Sequence, residues 1–197
     1  MDTISDVELK TMVEKVVQRT LRGEGTRSDR LPQVIAQSSG NTSSARIVAV
    51  GADHGGYTMK EMLKSHLMKA GYQVTDCGTN STESVDYPDF AFAVAEMVGL
   101  GRAWRGIIID GVGIGSCITA NKVPGVRAAM CYDHATAVNS REHNDANVLT
   151  LGAGLIGENL ARQIVDTWLS TEFGGGRHAR RVDKITAIEN KTLKSGK

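Results

Sequence analysis

The sequence predicts an α/β domain built on a parallel sheet that is covered on both faces. Three observations carry this. From Arg46 onward, short apolar runs alternate with amphipathic stretches, the pattern of repeated strand–helix units. The runs at residues 47–50 and 107–109 are apolar without interruption, the mark of strands buried on both faces. Two of the strands end in glycine-rich turns, and sheets of this kind hold their ligands off the carboxyl ends of the strands.

Residues 5–21 read as an amphipathic helix. Ser5 and Glu8 match a capping box, and Leu9, Met12, Val13, Val16 and Thr20 recur at helical spacing. Residues 23–45, rich in Gly, Ser, Thr, Asn and Arg, read as a flexible linker. A short helix on a linker suits docking to a partner. Folding back onto its own domain is the alternative, but it leaves the linker without a purpose. The domain spans residues 46–191, and 192–197 form a tail. Its expected elements are a strand at 47–50, a helix at 57–70 closed by Gly71, a strand at 73–76 and a polar loop at 79–88. A helix at 89–100 leads to the strand ending at Ile109, and a short helical run begins near Ser116. A strand at 126–131, a helix at 135–142, a strand at 148–151 and helices at 157–170 and 178–191 complete it.

Composition narrows the function. The net charge of +1 argues against a protein held on nucleic acid by phosphate contacts. Three cysteines without C-x-x-C spacing predict neither a zinc site nor a redox pair, and fit a reducing cytoplasm. No secretory signal is expected, and no apolar run reaches the ~20 residues that span a membrane. Neither a G-x-G-x-x-G fingerprint nor a P-loop ending is present, so no nucleotide cofactor is expected.

The centre of the chain is residues 107–122. Asp110 closes a strand, and Gly111, Gly113 and Gly115 follow at alternate positions before a helix start. Glycines let backbone N–H groups approach an anion, so the turn reads as an anion nest. Asp110 beside it is either a reactant or a cap. Asp53-His54-Gly55-Gly56 ends the first strand, and a histidine there can bind phosphate or move protons near neutral pH. His143 and Asn144 close a helix and are expected on the same sheet edge; a histidine there can also simply complement the helix dipole. Arg177 and Arg181, four apart, share a helix face and can fork a phosphate, or form a solvated basic surface. The cysteines, His66, His134, Trp104 and Trp168 read as packing or surface residues.

These segments in order resemble the ribose-5-phosphate isomerase B and galactose-6-phosphate isomerase family. The matching motifs are 52–56 (ADHGG), 86–88 (DYP), 110–115 (DGVGIG), 120–122 (ANK), 141–147 (REHNDAN) and 175–178 (GGRH) through Arg181. The resemblance implies a Rossmann-like three-layer sandwich and a homodimer, able to pair further, whose active site is shared between subunits. It implies neither metal nor cofactor, and aldose–ketose isomerisation of a sugar phosphate such as ribose 5-phosphate. By position, His143 opens the furanose ring by taking a proton from the ring hydroxyl, working with Asp53, and His54, Arg177 and Arg181 hold the phosphate. Asn144 and the backbone of Gly111, Gly113 and Gly115 stabilise the enediolate, with Ser116 in the same turn, and Tyr87 lines the pocket. Many members carry a cysteine base where this chain has Asp110 and a threonine where it has Val112; another branch carries a glutamate at Ser116. Asp110 is therefore expected to be the base, with its role as a cap as the alternative, and another pentose or tetrose phosphate becomes a candidate substrate. A sugar-phosphate-binding protein without turnover is the competing reading. Residues 1–22 resemble the peptides that route enzymes to the shell proteins of bacterial microcompartments.

Overall fold

A computed structural model describes residues 46–195; the expected N-terminal helix and linker lie outside them. The elements in chain order are β1 (Ile47–Ala52), α1 (Tyr57–Lys69), β2 (Gln73–Asp76), α2 (Tyr87–Gly99) and β3 (Arg105–Asp110). They continue as α3 (Ile114–Ala120), β4 (Ala128–Met130), α4 (His134–Glu142), β5 (Val148–Gly152), α5 (Glu158–Ser170) and α6 (Gly176–Ser195).

The strands form one parallel sheet in the order β2-β1-β3-β5-β4. Alternate strand residues serve opposite faces. Val48, Val50, Ile107, Ile109, Leu149 and Leu151 pack with Met59, Leu63 and Leu67 of α1, Ala137 of α4, and Ile164, Val165 and Trp168 of α5. Ala49, Ile108 and Val148 pack with Ala91, Val94, Ala95 and Val98 of α2 and Ala120 of α3. The result is the expected three-layer, Rossmann-like sandwich. From β1 the chain passes to β2 on one side, and it returns to β3 on the other. The crevice between β1 and β3 is therefore the topological switch point.

Several element boundaries differ from the sequence reading. Helix α2 begins at Tyr87, not Asp89, because Pro88 occupies its first turn, where a missing N–H costs nothing. Helix α3 begins at Ile114, since Gly113 at φ 88° turns the chain into it two residues before Ser116. Strand β4 shrinks to three residues. Helix α6 extends the expected 178–191 at both ends, so residues 192–195 belong to it rather than to a tail. Cys117 is half-buried rather than buried. Trp168 is fully buried and donates from Nε1 to Ser140 Oγ at 3.1 Å, as a packing anchor should.

Helix α6 contributes little to this core. Val182 is its buried residue, whereas Ile185, Ile188 and Leu193 are 48%, 66% and 50% exposed. These three side chains line a groove of about 590 Å³ together with Val126 and Ala128. Glu189 ties the helix down by accepting from the Gly125 N–H at 3.0 and 3.1 Å.

Candidate active site

The predicted site residues fall into two groups, on opposite edges of the sheet. The first lies at the carboxyl edge, over the switch point. Asp53 follows β1 and accepts from the Gly56 N–H at 3.0 Å, fixing the turn into α1. Gly56 packs so closely on β3 that a Cβ there would lie 2.3 Å from the Ile109 carbonyl oxygen. His54 is exposed, with Nδ1 3.2 Å from both the N and the O of Val85, so the loop before α2 holds the ring. Tyr87 lies with its ring against Gly115, where a side chain would collide with it. Asp53, His54, Tyr87 and the glycine turn thus surround one crevice.

Asp110 is 5% exposed. Its Oδ1 accepts from the Val112 N–H at 2.8 Å and from the Gly113 N–H. Its Oδ2 accepts from the Ser116 N–H at 3.1 Å and from Ser116 Oγ at 2.5 Å. A carboxylate offers about four lone-pair positions, and four donors fill them. The anion nest read from the glycines is present, but the anion it holds is the protein's own Asp110. This limits the expected role of the turn as an oxyanion cradle, because three of its N–H groups point inward. Strand β5 secures the turn from the other side, with Thr150 Oγ1 donating to the Gly113 carbonyl at 2.9 Å.

The second group overturns the placement of His143. Helix α4 starts after the carboxyl end of β4, where Asp133 and Thr136 form a capping box. Its nine residues run back about 13 Å to the amino edge. There the following loop meets the start of β3, with Asn147 O accepting from the Gly106 N–H at 3.0 Å. His143 and Asn144 therefore lie at the amino edge, not beside Asp53 and Asp110. A helix that returns the chain between parallel strands must end at the edge opposite to its start, which reading the motif without its direction concealed. The Gly174 N–H donates to Glu142 O at 2.9 Å and brings the start of α6 to the same place. Arg177 and Arg181 stand on the first turns of α6, both exposed.

Two residues of this cluster had no role in the sequence reading. His178 stacks on His143 with ring centroids 4.1 Å apart and planes 7° from parallel. Desolvation, then the neighbouring His143, Arg177 and Arg181, holds its imidazole below the ordinary histidine range. Asn139, one helical turn before His143, lies with Nδ2 2.8 Å from His143 Nδ1. A polar residue four positions before a functional histidine was the available signal. Burial pushes the Cys77 and Cys131 thiols up, away from the reactive thiolate. Among the described residues, no cluster of three or more His, Cys, Asp and Glu could hold a metal ion. No described helix is long and apolar enough to cross a membrane.

Comparison with known proteins agrees with the fold and the motifs. The family described as Ribose/Galactose Isomerase matches residues 48–185. Ribose-5-phosphate isomerase B of Escherichia coli K12 is 46% identical over 73% of this chain and 97% of its own length. D-erythrulose-4-phosphate isomerase of Pectobacterium atrosepticum is 42% identical over 73% of this chain and 95% of its own. The structure of Clostridium thermocellum ribose-5-phosphate isomerase B superposes with a TM-score of 0.73 at 55% identity, covering 74% of this chain and 99% of that one.

Proposed function

The chain belongs to the ribose/galactose isomerase family, and from that premise we propose that it interconverts an aldose phosphate and a ketose phosphate, with ribose 5-phosphate and ribulose 5-phosphate as the first pair to test. The observation that carries this reading is the crevice over the switch point, where Asp53, His54, Tyr87 and Asp110 converge. In the reaction Asp110 takes the proton from C2 of the open-chain aldose, leaving an enediolate. The same proton returns to C1 while a proton passes from O2 to O1, and the ketose results. Oδ1 is the working oxygen: it must release the Val112 and Gly113 N–H groups and turn outward, while the buried Ser116 retains Oδ2.

Among the described residues named above, the crevice carries no lysine or arginine for the phosphate, and the amino-edge group carries no counterpart of Asp110. Two copies related by a two-fold axis complete both, each supplying its amino-edge group (His143, Asn144, Arg177 and Arg181) to the other's crevice. The exposed apolar side of α6 supports this pairing. Residues 1–22 would carry the enzyme to a microcompartment shell. Removing residues 1–44 should abolish co-sedimentation with shell proteins while leaving isomerase activity intact; retained co-sedimentation would discard that role.

The full engagement of Asp110 favours a second reading, in which the carboxylate only caps the turn and the pocket binds a sugar phosphate without turnover. Rates on ribose 5-phosphate, erythrulose 4-phosphate and other sugar phosphates decide between them. Asp110→Asn should lower the isomerisation rate about 10²–10⁴-fold, the usual contribution of a positioned base, and Asp110→Cys should restore part of it. Tight binding of a sugar phosphate whose C2 proton moves neither to C1 nor into solvent would establish the second reading.

A further inference from the structure

The hydrogen bonds around His143 determine which of its nitrogens carries the proton. The Asn144 side chain reaches the main-chain carbonyl of Asn139 at 3.2 Å. A carbonyl only accepts, so the Asn144 atom is the NH₂ group. That same NH₂ lies 3.3 Å from Asn139 Oδ1, which is thereby fixed as the oxygen of its amide. The atom of Asn139 facing His143 Nδ1 at 2.8 Å is then its NH₂. Nδ1 accepts, and the neutral imidazole carries its proton on Nε2.

We propose that Asn139 is a positioning residue that holds His143 as the Nε2–H tautomer, so that His143 meets the sugar as a hydrogen-bond donor to a substrate oxygen and not as a proton acceptor. The identity of the substrate rests on the isomerase reading above; the tautomer rests on the geometry alone. A neutral Nε2–H imidazole polarises a C–O bond without transferring its proton. Such a donor gains most where charge develops, on the ring oxygen during opening or on the carbonyl oxygen during enediolate formation. The stacked ring of His178 fixes the plane of His143 and therefore the direction in which Nε2 points. His178 is itself steadied by a 3.4 Å contact between Arg177 Nε and its Nε2. The base that takes the hydroxyl proton at ring opening must then be another group; on the two-copy reading that part falls to the half-buried Asp53 of the facing crevice.

The test is the ¹⁵N spectrum of labelled His143 in the full-length protein, recorded well above the ordinary imidazole range. Wild type should show the Nε2–H tautomer. Asn139→Asp offers only acceptors and should convert His143 to Nδ1–H; Asn139→Leu, which offers neither, should give a mixture. Asn139 is exposed, so none of these changes threatens the fold. On sugar phosphates Asn139→Asp should lower kcat about 10- to 100-fold with little change in KM, the range seen for outer partners of ligating histidines. A wild-type spectrum showing Nδ1–H, or an Asn139→Asp spectrum unchanged from wild type, would overturn the role of Asn139. Wild type inactive on every sugar phosphate would overturn the isomerase reading, with the spectrum still deciding the tautomer.

Discussion

Lys60 is fully buried in α1, and its Nζ donates to Asp76 at 2.8 and 2.9 Å and to the Thr79 carbonyl at 2.7 Å. Burial raises the Asp76 carboxyl, but the bonds from Lys60, Lys64 and the Gly78 N–H outweigh it and leave the group below the ordinary aspartate range. This triangle holds the Thr79 loop against Ala52, next to Asp53. Asp76→Asn leaves the buried Lys60 ammonium with Glu61, 3.0 Å away, as its remaining carboxylate, and should destabilise the protein by about 1–3 kcal/mol in urea unfolding. An aspartate with a depressed native pKa stabilises above its unfolded pKa, and that contribution is lost as pH falls through the native value. The gap between wild type and Asp76→Asn should therefore close in acid; a gap independent of pH would show that the charge is irrelevant. A lysine within an amphipathic helix carries no sequence signal of burial, because lysine is buried only when a partner arrives. Here the partner comes from β2.

At the scale of elements, the glycine positions divide between conformation and space. Gly113 is needed for its positive φ, which aims the N–H groups of the turn at Asp110. Gly56 is needed for closeness, since α1 can start only by laying its backbone on Ile109. Gly56→Ala must push α1 away from β3, and should cost about 2–3 kcal/mol in thermal or urea unfolding and displace Asp53 and His54. A variant as stable as wild type would mean that the turn relaxes freely. The strands and the two helical layers were legible as sequence, because continuous apolar runs and a 3.6-residue period report burial directly. Helix ends were less so: the first turn of α2 accepts the proline that looked like a loop.

At the scale of the described domain, the candidate site residues divide between the two edges of the sheet, and one helix, α6, has an apolar side that the domain leaves open. Ile188→Asp places a charge in that side without touching the core. On the proposed pairing, it should convert the dimer into a folded monomer in sedimentation and abolish isomerase activity, because each crevice would lose the partner copy's arginines. A variant that stays dimeric and active would show that α6 is not the pairing surface.

The sequence by itself determined the α/β class, the alternation of strands and helices along the chain, and the motifs that supply the candidate site residues, from Asp53 and His54 to Arg177 and Arg181. Those follow from local periodicity and from motifs whose members are close in the chain. Only the tertiary structure decided that His143 stands across the sheet from Asp110, that the Asn139 amide lies against its Nδ1, and that the anion in the glycine nest is Asp110 itself. Each of these depends on helix direction or on an atom's full set of hydrogen-bond partners, which the order of residues in a motif does not contain.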